Sequence, residues 1–180
     1  VRFNFIGIAL VSGMSSVGFL IFFLRQSVTI QLYLALALGF VLFYPLVRRV
    51  GWLKLFFVSL VISYVTVFIP LEAKGEMEWA LFCQRFLMLC ALIVPFEILD
   101  SKTDLVSLKT LPQLFGVEKT KWIGYCLLVI AFVLKGLNSS GGVLIMGIFI
   151  YILIAVAIYF SSLQRTKYYT LFWVESIPIV

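Results

Sequence analysis

Apolar runs of about 20 residues recur along this chain, and a helix of that length crosses the roughly 30 Å hydrocarbon core of a bilayer. They lie at about 4–24, 28–47, 53–71, 79–99, 121–137 and 142–163, and a further run begins near 168. Inside hydrocarbon every backbone N–H and C=O must be satisfied within the protein, so only helices and closed barrels span a membrane. A barrel strand is a segment of about 10 residues with alternating polarity. Runs such as LYLALALGFVLFYPLV are continuously apolar, which excludes that architecture. Composition agrees: 63% of the 180 residues are hydrophobic and the mean hydropathy is +1.16, whereas soluble domains are about half apolar. The expectation is an all-α polytopic transmembrane helical bundle, with residues 1–180 forming a single integral-membrane domain. The first run is longer than the apolar core of a signal peptide and is followed by further spans.

The ends of the runs carry their own signals. Pro45, Pro70 and Pro95 fall near run ends, where a missing N–H and a ring clash disturb a helix least. Trp52, Trp79 and Trp122 open spans, as expected for indoles at the membrane interface. One set of loops and span ends holds Arg2, Arg48, Arg49, Lys54, Lys102, Lys109, Lys119, Lys121, Arg165 and Lys167. The other holds Arg25, Lys74 and Lys135, and its longest loop, LEAKGEME, is net acidic. Lys and Arg concentrate on the cytoplasmic side of membrane proteins, so the first set is expected there.

Several chemistries are excluded. The net charge of +6 is spread over separate loops, so it forms no basic patch of the kind that binds nucleic acid. The chain has no His, and its three cysteines, Cys83, Cys90 and Cys126, fall inside spans with no CxxC. That pattern fits small buried hydrophobes better than a zinc or haem site.

Against this apolar background, PFEILDSKTDLVSLKTLPQLFG gathers Glu97, Asp100 and Asp104 with Lys102 and Lys109. If the fourth helix continues through its end, the three acids share one face at i, i+3 and i+7. Like charges so placed require a cation. Hard oxygen donors without thiolate or imidazole suit Mg²⁺, which binds through one or two carboxylates and completes its shell with water and substrate phosphates. Glu97, Asp100 and Asp104 are therefore candidate metal ligands, and Lys109 and Lys102 candidate phosphate contacts. The alternative is an ordinary solvated loop.

The whole string LDSKTDLVSLKTLPQLFG resembles the second aspartate-rich motif of the UbiA-type membrane prenyltransferases. Asp100 and Asp104 match the two motif aspartates; Lys109, Thr110, Leu111, Pro112 and Gly116 match the closing K-T-L-P-x-x-x-G. Glu97 stands where many members have Asp or Asn, and CALIVPFEI with Arg85 is similar to the motif-bearing helix of some bacterial members. The resemblance spans about 35 residues, Arg85 to Lys119. It implies a fold of nine transmembrane helices, of which six or seven are present here. The motif loop, about 100–120, would face the cytoplasm between helices six and seven, in a bacterial inner membrane. It implies transfer of an isoprenyl group from an isoprenyl diphosphate to an aromatic or lipid acceptor held in the bilayer. Mg²⁺ and basic residues would stabilise the leaving diphosphate. Asp100, Asp104 and Lys109 would then be catalytic, with Arg85, Lys102 and Lys109 binding substrate.

The departure from the family lies in the first motif. Residues 1–71 contain neither Asp nor Glu, so the other half of the diphosphate clamp is expected upstream, in a longer protein of which this chain is a fragment inactive by itself. The alternatives are a non-catalytic membrane protein on the same fold, binding a lipid or a partner, and a small transporter. Arg85 lies within a span, where a cation costs roughly 3 kcal/mol and marks a functional position by default. Glu175, in the last partial run, is a weaker candidate for contact with the acceptor.

Overall fold

The computed structural model describes residues 5–102, 108–138, 141–163 and 174, and among them every regular element is a helix. In chain order they are α1 (Phe5–Leu24), α2 (Val28–Val47), α3 (Gly51–Ser63), a π-helical turn (Tyr64–Phe68), α4 (Ile69–Lys74), α5 (Trp79–Asp100), α6 (Leu111–Phe115), α7 (Val117–Asn138) and α8 (Gly141–Phe160). Four described segments are long and apolar enough to cross a membrane: Val28–Val47, Gly51–Lys74, Trp79–Asp100 and Val117–Leu137. Ala9–Leu24 of α1 and Gly147–Phe160 of α8 are apolar as well. This is compatible with a multi-pass membrane protein. The run expected near 168 lies outside the described residues.

Local chemistry sets the boundaries. Ser27 caps α2, its hydroxyl oxygen accepting the Ile30 N–H at 3.4 Å. Gly75 ends α4 in the left-handed conformation at φ 70°, which glycine adopts without a Cβ penalty. The N–H groups of Gly75 and Glu76 then close onto the carbonyls of Glu72 and Leu71, both at 3.0 Å. Segments α3, the π turn and α4 form one rod. Pro70 offers no N–H to the carbonyl four residues back, and the wider π turn lies immediately ahead of it. Tyr64 and Phe68, at its two ends, stack with centroids 5.0 Å apart.

The connections are short, so consecutive long helices run up and down, and α5 is the common neighbour. Leu55 of α3 packs with Cys90, Val94 and Ile98 of α5 and Leu111 of α6. Met88, Ala91 and Leu92 of α5 pack with Leu128 and Ala131 of α7 and with Tyr151, Ile154 and Ile158 of α8. Van der Waals packing and close backbone approach, rather than water exclusion, hold helices together in lipid. Gly124 marks such an approach: a Cβ there would sit 3.2 Å from both Val94 Cγ2 and Ile158 Cδ1. Helix α1 exposes most of its apolar side chains. Its end is tied to α2 by the Gln31 amide, which donates to the carbonyls of Phe23 at 3.2 Å and Gln26 at 3.1 Å.

Helix α7 begins at Val117, four residues ahead of the expected span start, because Glu118 and Lys121 extend it by a polar first turn with a 3.6 Å ion pair. An acidic residue in the first turn complements the helix dipole.

Candidate functional site

The last turns of α5 carry Glu97 and Asp100, one turn apart. Glu97 is 1% exposed, and a carboxylate so buried is costly without a charged partner. Lys54, in the first turn of α3, provides one: its Nζ lies 3.1 Å from Glu97 Oε1 and 3.5 Å from Asp100 Oδ2. The contact follows from topology. Helix α3 leaves this end of the bundle and α5 returns to it, so the start of one flanks the end of the other. Gly51, Leu55, Ser59 and Ser63 form the buried face of α3 at a four-residue spacing.

The chain after α5 comes back onto the start of α3. A Cβ at Gly51 would collide with the Leu108 carbonyl oxygen and lie 2.9 Å from both Thr110 Cγ2 and Thr110 N. Glycine is therefore what allows residues 108–110 to rest on this helix end. Lys109 takes φ 52°, a left-handed conformation uncommon outside glycine, and its side chain is exposed. Thr110 then caps α6, with Gln113 Oε1 accepting the Thr110 N–H at 3.2 Å. Pro112 falls in the first turn of α6, where its missing N–H costs nothing.

The structure thus brings Lys54, Glu97, Asp100 and the 108–110 segment to one end of the bundle. Lys102 lies exposed in the turn after α5. Arg85 is not brought there: it precedes Asp100 by fifteen residues on the same helix, about 22 Å along the axis at 1.5 Å per residue. Asp104 and Glu175 lie outside the described residues.

Among the described residues no group of three or more His, Cys, Asp or Glu gathers to hold a metal ion. Glu97 and Asp100 supply hard oxygen donors of the kind Mg²⁺ takes, in the number it usually draws from protein. The position between them is occupied by Lys54, so the chain itself supplies a cation that the spacing of the acids requires. In the sequence Lys54 counts only as one charge in the orientation pattern. The available signal was a lysine three residues into an apolar helix, in GWLKLFF.

An apolar groove of about 310 Å³ opens between α2 and α3, lined by Phe40, Tyr44, Phe57, Val58 and Val61 among others. Phe57 and Val58 lie three and four residues beyond Lys54, so the groove starts one helical turn from the ion-paired end. A larger hollow of about 560 Å³ lies between the start of α7 and the end of α8. Its lysine, Lys121, is engaged with Glu118 at 3.6 Å and the Tyr159 carbonyl at 3.3 Å.

Comparison with known protein families, curated proteins and solved structures finds no match for this chain.

Proposed function

We propose that the chain carries the second aspartate-rich motif of a UbiA-type membrane prenyltransferase, and that the Lys54–Glu97–Asp100 end of α5 receives the diphosphate of an isoprenyl diphosphate. The observation that carries this reading is the convergence of Lys54, Glu97, Asp100 and the Lys109 turn beside the start of an apolar groove. A diphosphate needs cations at one place, and its hydrocarbon tail needs an apolar path from there. In a low-dielectric site, preorganised positive charge stabilises the charge that develops on a leaving oxygen. Glu97 and Asp100, with Asp104 from the sequence motif, would hold Mg²⁺, which when bound neutralises phosphate oxygens. Lys54 orients the two carboxylates in its absence and lies within a side-chain swing of an arriving phosphate. Lys109 and Lys102, exposed at the same end, add positive charge.

The full-length protein in detergent micelles tests this by isoprenyl diphosphate binding with and without Mg²⁺. Binding is expected to require Mg²⁺ and to weaken at least tenfold in Asp100→Ala plus Asp104→Ala. Equal binding by both proteins removes the site. A second reading, a non-catalytic membrane protein on the same fold, draws support from Lys54, since an ion pair already satisfies this end structurally. It predicts no Mg²⁺-dependent binding.

A further inference from the structure

The far end of α5 carries a second polar assembly that the diphosphate reading does not use. Gln84 is 5% exposed and Tyr151 6%. Gln84 Nε2 donates to Tyr151 Oη at 2.8 Å, and Tyr151 Oη donates to the Ala131 carbonyl at 3.2 Å. This chain of two bonds joins α5, α8 and α7 and fixes the Tyr151 ring, against which Phe132 stands edge-on with centroids 5.3 Å apart. Two cations lie beside it. Lys135 Nζ is 6.0 Å from the Tyr151 ring centroid. Its stem crosses α8 at Gly147, where a Cβ would collide with Nζ and Cε. Arg85 follows Gln84, the residue bonded to Tyr151, and its side chain is exposed.

Two like charges on the same end of a helical bundle repel each other, and a cation within a membrane span is costly without an anionic partner. Among the described residues neither has a carboxylate at ion-pairing distance. Of the acids at this end, Glu72 accepts a hydrogen bond from Tyr33 Oη at 3.3 Å, while Glu76 and Glu78 lie in and beside the connection to α5. An anion bound here would offset both charges.

Depth and shape select which anion. Arg85 is six residues into α5 from Trp79, and Lys135 three residues from the end of α7. These are about 9 Å and 4.5 Å from the helix ends, within reach of the headgroup layer rather than the midplane. An apolar groove of about 240 Å³ runs between α7 and α8, with Tyr151 in its wall and Leu128, Phe132, Ile148 and Ala155 among its other lining residues. It descends from the cations toward the middle of the bundle.

We propose that Arg85 and Lys135 bind the phosphate of one phospholipid in the leaflet opposite the carboxylate end, with an acyl chain in the α7–α8 groove. The guanidinium offers paired donors to phosphate oxygens, and Lys135 adds a point charge held over Tyr151. The site is independent of the proposed activity and of the diphosphate end.

Native mass spectrometry of the full-length protein in detergent, titrated with phosphatidylglycerol, tests the proposal. The wild type is expected to retain one lipid tightly, and Arg85→Gln plus Lys135→Gln to lose about tenfold in affinity or more. Lys74→Gln, at the same end but outside the cluster, should bind as wild type. Arg85→Lys plus Lys135→Arg, which keeps both charges, should retain the lipid and separates charge from folding. Diacylglycerol, which lacks the phosphate, should not be retained. Undiminished binding by the double Gln variant, or equal retention of diacylglycerol, overturns the phosphate site. Displacement of the lipid by equimolar inorganic phosphate overturns the lipid as its source.

Discussion

Replacing Lys54 with Met isolates the contact on which the candidate site is built. The substitution keeps an unbranched apolar stem of similar length and removes the ammonium 3.1 Å from Glu97 and 3.5 Å from Asp100. The two contacts differ in weight. Asp100 has 48% of its side chain exposed, so water screens its loss and that half contributes under about 1 kcal/mol. Glu97 has 2% of its side chain exposed and Lys54 15%, and removing one partner from a buried pair costs about 3 kcal/mol or more. Lys54→Met should therefore lower the unfolding free energy by about 3 kcal/mol, measured by denaturant titration in bicelles. Adding Glu97→Gln removes the buried charge as well and should restore most of the loss, because an amide is far cheaper to bury than a carboxylate lacking its cation. A loss under about 0.5 kcal/mol, which is typical of surface substitutions, would refute the reasoning. So would a double variant no more stable than Lys54→Met alone.

Other outcomes follow from the same end of the bundle. Gly51→Ala places a methyl against the Leu108 carbonyl and the Thr110 backbone; overpacking of this kind costs about 1–3 kcal/mol, and trypsin should cut faster at Lys102 and Lys109. Unchanged proteolysis would mean that residues 108–110 do not rest on α3. Lys109→Gly relieves a left-handed residue at φ 52° and should raise stability by about 1 kcal/mol while weakening diphosphate binding. A loss of stability would show that the lysine side chain, not its backbone, matters there.

The long helices were legible because a bilayer reduces the problem to one dimension. Continuous apolar runs state where each helix lies, and Trp79 marks a start that the structure keeps. The π turn at Tyr64–Phe68 was not legible, since its residues are as apolar as those flanking it. The same cause hid the packing. Helices that are apolar on every face do not announce which face meets a neighbour, so Lys54 could not be assigned to Glu97 from spacing. Spacing along one helix, by contrast, was sufficient for Arg85. Helical rise alone separates it from Asp100 by about 22 Å, and the motif resemblance drew the two together where the geometry keeps them apart. The stretch 111–115 read as loop because Leu-Pro-Gln-Leu-Phe is too short for a periodic signal, yet the Thr110 cap and Pro112 fold it into a helical turn.

The central claim is that the Lys54–Glu97–Asp100 end takes a diphosphate through Mg²⁺. Calorimetric titration of an isoprenyl diphosphate into the full-length protein and into Glu97→Gln plus Asp100→Asn, each with Mg²⁺ and with a chelator, tests it most directly. The account predicts saturable binding to the wild type only when Mg²⁺ is present, and at least a tenfold weakening in the isosteric variant. Binding that is indifferent both to the chelator and to the two carboxylates would contradict it.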